Sequence, residues 1–326
     1  MRNLAAFVIG IVTCLMVFGC ATTTASTTKT TKIDVRPVVK STGLVEAVAL
    51  DVGAELSRAK KLQNASDFAA SLVIYEDTLA RMVRSHPSRG DVEIGLADCA
   101  LALAWRGKKY AQQAQKTYQA IPGNAAYTDA VKRRAKSGLL LLDLVNDTPE
   151  VGTQKLLSAL DTNPNDSRLW NALGEIHDKN NDWMGALDVY VKALKVAKKN
   201  GTSTAAVVNN MGMSLLMQGR NKEAVSKFEQ AKKANPEMPV YDNNYRLAQI
   251  LSGKTNKALK GVSETRAAQI YNDAGVIAQS HGNSRQASSL YKKALEISPV
   301  YFERAEENLA GLSPIAQLVA SATRLD

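Results

Sequence analysis

One feature constrains the fold of this 326-residue chain more than any other, a recurrence of residue types every 34 positions. Asn209-Asn210 and Asn243-Asn244 stand 34 residues apart, as do Gly219 and Gly253, and Ala224 and Ala258. A period of this size belongs to stacked supersecondary units, each too small to bury its own apolar face and each completed by its neighbours. Two antiparallel helices fit one such unit. The chain is therefore expected to be all-α, a right-handed superhelical solenoid of about six to seven helical hairpins in place of the two compact domains that length alone suggests.

The first clear unit begins at Ser167, with Trp170, Leu173 and Gly174 on its first helix and Ala186, Tyr190 and Ala193 on its second. The next, from Ala205, has Gly212, Ala224, Phe228, Ala231 and Pro236; a later one, from Ala268, has Tyr271, Gly275, Ala287, Tyr291, Ala294 and Pro299. Between them the unit from Pro239 keeps Tyr245 and Ala258 but has Arg246 where the others have glycine. Small residues suit places where two helices cross closely, an aromatic ring fills the space beside them, and proline ends the second helix. This pattern resembles the tetratricopeptide repeat. Upstream the pattern thins: Gly152, Leu156, Ala159 and Pro164 fit a unit from about Arg133, Ala114 and Tyr118 one near 92–126, and 67–84 the second helix of a first, degenerate unit. Degenerate terminal units are expected of a solenoid.

The N-terminus reads differently. After Arg2 an uncharged run from Leu4 to Gly19 is too short for a comfortable membrane span and has the layout of a secretory signal. Its end, Val17-Phe18-Gly19-Cys20, resembles the lipobox of bacterial lipoproteins, which implies cleavage before Cys20 and lipidation of that residue; a plain signal peptide or an uncleaved anchor is the alternative. Ala21 behind it implies the outer rather than the inner membrane, so the expected location is lipid-anchored at the outer membrane, facing the periplasm. Cleavage removes Cys14 and acylation occupies Cys20, leaving Cys99 alone in an apolar stretch as a buried thiol without a disulfide partner. Residues 22–32, seven threonines and a serine among them, have almost nothing to bury and read as a tether. The expected organisation is signal 1–19, lipidated Cys and tether 20–44, degenerate repeats 45–166, clear repeats 167–312, and a tail 313–326 whose stretch from Ile315 to Leu325 is either a closing helix or a frayed end.

No catalytic constellation is present in the sequence. His86, His177 and His281 fall in different units without metal-ligand spacing, and no nucleophile elbow or phosphate-binding loop occurs. Enzymatic activity, cofactors and metals are therefore not expected. The net charge of +10 would suit nucleic acid in a cytoplasmic protein, but export argues against it. Residues 21–165 hold 19 basic and 15 acidic residues and 166–326 hold 21 and 16, so the excess looks spread out, and clusters such as Lys132, Arg133, Arg134 and Lys136 read as solvated faces to which anionic lipids or polymers would bind weakly.

Binding is instead expected along the first helices. Positions 2, 5, 9 and 12 of each unit share the face opposite the packing face. Position 5 is Asn171, Asn209, Asn243 and Asn272 in the four clear units. Amides carry donors and acceptors, so this ladder can pair with the backbone of an extended partner or serve local bonds between helices. Met213, Leu216 and Met217, then Leu247, Ile250 and Leu251, form an expected apolar groove floor for an amphipathic partner or for the chain's own C-terminal segment. The unit at Ser167 has Glu175, Asp178 and Lys179 there, so the groove turns from polar to apolar along its length.

Lipobox, tether and repeats together resemble the TadD-like lipoproteins of the tight-adherence (Flp pilus) secretion system. The resemblance is carried by residues 170–174 (Trp-Asn-Ala-Leu-Gly), 209–220 (Asn-Asn-Met-Gly-Met-Ser-Leu-Leu-Met-Gln-Gly-Arg) and 298–309 (Ser-Pro-Val-Tyr-Phe-Glu-Arg-Ala-Glu-Glu-Asn-Leu), and covers roughly 167–312. It implies a non-enzymatic scaffold for assembly of the pilus apparatus, with the secretin or companion outer-membrane proteins as partners. A pilotin or chaperone-like carrier for a secretin or type IV pilus component, or an adaptor for cell-wall enzymes, is the alternative.

Overall fold

The computed structural model describes residues 50–144 and 147–312; the signal segment, Cys20, the tether and the C-terminal tail lie outside the described residues. The described residues form seven helical hairpins and a final helix. These are α1 (Val52–Asn64) with α2 (Phe68–Arg81), α3 (Arg89–Ala102) with α4 (Lys108–Ala120), and α5 (Asp129–Asp143) with α6 (Pro149–Thr162). They continue with α7 (Ser167–Lys179) and α8 (Trp183–Lys199), α9 (Ala205–Met217) and α10 (Asn221–Ala234), α11 (Pro239–Leu251) and the short α12 (Thr255–Leu259), α13 (Glu264–Ser280) and α14 (Ser284–Ile297), and end on α15 (Glu303–Ala310). Each helix packs on the next, and first helices also pack on first helices, so the hairpins stack as a tetratricopeptide-type solenoid.

Local chemistry sets the helix ends. Asp51, Asp67, Thr128, Thr148, Asp166, Asp182, Ser263 and Asn283 each cap a helix N-terminus by accepting a backbone N–H, and Pro149 follows Thr148 at the first helical position. The turn inside the hairpin has one recurring requirement. Ser66, Asn181, Gly219, Gly253 and Gly282 all adopt positive φ, at the same place in their units. In each, the following N–H bonds back to a carbonyl five residues earlier, as Arg220 does to Leu215 and Lys254 to Gln249. This closing bond needs a left-handed residue, which explains the glycines at the 34-residue spacing.

Three of the unit starts read from sequence coincide with the starts of α7, α9 and α11; α13 begins four residues before Ala268. The unit from Pro239 departs most. Arg246, in place of glycine, donates to the carbonyls of Ala258 (2.5 Å) and Lys260 (3.3 Å) and pairs with Asp242 (2.7 Å). Its side chain takes the space a second helix would use and satisfies the end of α12, which stops after five residues.

Candidate functional site

The first helices build the inner wall of the stack, and the structure fills it from within. Met213, Leu216, Leu247, Ile250 and Leu251 are at most 8% exposed, and Met217 is partly buried against them. They form one apolar cluster with Val276 and Ile277 of α13. The open floor expected from the sequence is thus core in the described chain, because first helices of successive units converge and cover one another's apolar residues.

The asparagines behave alike. Asn210 Nδ2 donates to Asn171 Oδ1 (3.2 Å) and to Glu175 Oε1 (2.6 Å), and Asn171 Nδ2 donates to that same glutamate oxygen (2.8 Å). Asn209 Nδ2 donates to Asn210 Oδ1 (3.2 Å), and Asn244 Nδ2 to Asn209 Oδ1 (2.9 Å). One polar spine therefore crosses α7, α9 and α11. On α13, Asn272 accepts from Asn308 of α15 (2.8 Å). Asn171, Asn209 and Asn272 are buried, and buried amides need partners that the next helix here supplies. Asn243 alone is exposed, and it accepts from Arg266 Nη2 (2.6 Å). Of the two roles open to the ladder, these bonds supply the local one. Asn210 and Asn244 had a visible signal, the repeated Asn pair, although only the first member of each pair falls on the face assigned to binding.

Carboxyls in this interior are shifted. Burial pushes Glu175 up to about 7 and Asp178, which accepts from Tyr190 Oη (2.8 Å), up to about 6; burial likewise raises Asp273 to about 6. At the other end of α7 the balance reverses. Burial would raise Asp166, but the charge and bonds of Arg168 hold it at about 2. Arg168 also reaches Asp98 of α3 (2.5 Å), which accepts from Arg134 of α5 (2.5 Å) and from Tyr118 Oη of α4 (2.6 Å). This buried network ties the upstream hairpins to α7.

Cys99 is fully buried, with its thiol pushed up to about 12 by burial. His177 pairs with Asp182 in its own hairpin turn, and His86 and His281 lie in separate turns. Among the described residues no group of three or more His, Cys, Asp or Glu could hold a metal, and no helix is long and apolar enough to cross a membrane.

Apolar side chains left in solvent lie elsewhere. Val151 and Leu157 on α6 and Met184 and Val191 on α8 are 42%, 49%, 75% and 55% exposed. Leu157 and Val191 stand 34 residues apart, at one register on second helices of consecutive units. A hydrophobic residue at that place has no packing role in its own hairpin, a signal the sequence carried unread.

Comparison with family models gives two matches, each described as a tetratricopeptide repeat, over residues 155–188 and 268–301. No curated protein matches the chain. Similar solved structures include a tetratricopeptide repeat protein from Parabacteroides merdae (15% identity, 80% of this chain and 98% of that one, TM-score 0.38). Another is PilW, described as a widely conserved type IV pilus biogenesis factor (16% identity, 79% and 97%, TM-score 0.34). A third is the C-terminal part of a repeat-containing protein from Cytophaga hutchinsonii (13% identity, 78% and 99%, TM-score 0.36).

Proposed function

We propose that this chain is a non-enzymatic scaffold that binds partner proteins during assembly of a Flp pilus secretion apparatus, lipidated at Cys20 and held at the periplasmic face of the outer membrane. Tetratricopeptide repeats are protein-interaction units, and the system-level reading rests on the residues that resemble TadD-like lipoproteins. Those residues sit on α7, on α9 with its turn, and on α15 with the turn before it. The observation that carries the partner surface is the exposure of Leu157 and Val191 at one register, flanked by Val151 and Met184. With the inner wall self-satisfied, this outer face is where a protein partner gains most by docking.

Deletion of the gene is expected to abolish surface pili and deplete assembled secretin; normal pili and secretin in that strain would end the Flp assignment. Leu157→Asp with Val191→Asp, both exposed, should fold normally and reproduce the deletion. Normal pili in the double variant would move the partner surface elsewhere. Stable stoichiometric co-purification fits a scaffold, whereas capture lost after assembly would replace it with a carrier. Cys20→Ser should leave an unprocessed or unanchored protein, and recovery of an acylated membrane species would disprove the anchor.

A further inference from the structure

The net charge of +10 looks evenly spread when the chain is cut in half, but not when it is cut at the helices. Residues 104–143 hold eight Lys and Arg against two acidic residues, whereas the rest of 21–165 holds 11 against 13. Of the eight, only Arg134 is used inside the fold, on Asp98. α4 has no acidic residue at all and presents Lys108, Lys109 and Lys116; α5, packed beside it, presents Lys132, Arg133 and Lys136. Among the described residues none of these six has a carboxylate within ion-pairing reach.

The placement is periodic. Lys109 and Lys116 lie two turns apart on α4, Lys132 and Lys136 one turn apart on α5, while the opposite faces bury Ala114 and Tyr118, and Val131, Ala135 and Gly138. Like charges one turn apart weaken a helix, so folding gains nothing from this stripe.

The chemistry of the face selects its occupant. Arg106 stacks over Trp105 (5.1 Å) and Lys109 over Tyr110 (4.7 Å), so cations already cover these rings and leave no platform for nucleic-acid bases. The exposed residues between the lysines on α4 are Gln112, Gln115 and Gln119, which offer no apolar anchor for a peptide. What remains suits a diffuse anionic plane, onto which long lysine stems extend and to which each cation adds attraction. We propose that the α4–α5 face docks on bilayers rich in anionic lipid headgroups and holds the repeat body against the membrane. This face is independent of the partner surface on α6 and α8 and of lipidation at Cys20.

The test incubates the full-length chain with vesicles of phosphatidylcholine alone and of equimolar phosphatidylcholine and phosphatidylglycerol. Lysine acetylation is read by mass spectrometry, with Lys292 and Lys293 of α14 as references. The apolar run Leu4–Gly19 can retain the chain on both vesicles, so flotation reports that segment and the footprint reports the face. Lys108, Lys109, Lys116, Lys132 and Lys136 should label about fivefold more slowly on anionic vesicles, an effect erased by high salt. In the variant K109E/K116E/R133E/K136E, with helix content unchanged, Lys108 and Lys132 should label equally on both. Equal labelling of the native chain on the two vesicles overturns the proposal, as does protection by duplex DNA or an acidic protein but not by anionic vesicles.

Discussion

In both halves of the stack a buried aromatic ring lies on a glycine, but the glycine belongs to different helices. From α7 onward the ring sits on its own hairpin: Tyr190 on Gly174, Phe228 on Gly212 and Tyr291 on Gly275, each glycine 16 residues before the ring. Upstream, Tyr75 sits on Gly95 and Tyr118 on Gly138, glycines 20 residues after the ring, in the first helix of the following hairpin. The same contact thus closes a hairpin in one half and glues successive hairpins in the other. Downstream units should tolerate loss of a neighbour, whereas upstream units depend on theirs.

The halves meet where Asp98 receives Arg134, Arg168 and Tyr118. Asp98→Ala would strand Arg168, which is bound to Asp166 on one side only, and removing one partner of a buried charge network costs about 3–5 kcal/mol. Denaturant unfolding followed by hydrogen exchange should then show residues 50–144 opening before 167–312. A single cooperative transition with unchanged stability would show that the halves do not communicate through this cluster.

The glycines come next. At Gly174 an added Cβ would fall 2.5 Å from the Tyr190 ring, and at Gly212 2.8 Å from Phe228, whereas at Gly123 nothing lies within 4 Å. Gly174→Val and Gly138→Val should each cost about 1–3 kcal/mol by overpacking. Gly123→Val provides the baseline. Exchange should rise within α7 and α8 for the first variant but across both α3–α4 and α5–α6 for the second. Identical patterns in the two variants would erase the distinction between closing and gluing.

That distinction also explains what could be read in advance. Gly174, Gly212 and Gly275 stand at fixed distances from Tyr190, Phe228 and Tyr291, so one hairpin's sequence reports its own packing. Gly95 and Gly138 answer to rings in the preceding hairpin, at a spacing no single unit reveals, and the upstream repeats looked degenerate for that reason. The short α12 was legible only as a missing glycine, since the reach of Arg246 to Ala258 depends on three-dimensional placement. For the candidate site, the asparagine positions were plain in the sequence but their partners were not: whether an inward amide faces a ligand or the next helix depends on how far the stack curls. The contact of Ser66 with Ser203 (2.7 Å), 137 residues apart, measures that curl, and no local pattern encodes it.

Acidity should separate the halves again. Glu175 is raised from 4.5 to about 7 and Asp178 from 3.8 to about 6, both chiefly by burial. A carboxyl whose folded value is raised stabilises fully below its unfolded value, and that contribution is lost as pH climbs through the folded one. The interior of α7 and α9 should therefore weaken between about pH 4 and 7. Asp166, lowered to about 2, has the opposite sign: its contribution holds above about 3.8 and is lost as pH falls toward 2, loosening the junction instead. Glu175→Gln keeps an acceptor for Asn171 and Asn210 and should gain about 2 kcal/mol at pH 8 with little change at pH 4.5. An equal effect at both pH values would mean that the carboxyl is not neutral in the fold.

The smallest effect discriminates most finely, because it compares adjacent residues. Asn244 is 5% exposed and donates to the buried Oδ1 of Asn209; Asn243 is exposed and touches only Arg266, which is held independently by Asp242 (3.0 Å). Asn244→Ala leaves the Asn209 oxygen without its donor in a dry interior and should cost about 1–2 kcal/mol, whereas Asn243→Ala should stay within about 0.5 kcal/mol. If the spine works as a chain, exchange in α7 should rise as well, since Asn209 is bonded to Asn210 and Asn210 to Glu175 and Asn171. Should Asn243→Ala prove the costlier change, the asparagines would be acting at the surface of the stack, and the inner wall would regain its claim as a binding face.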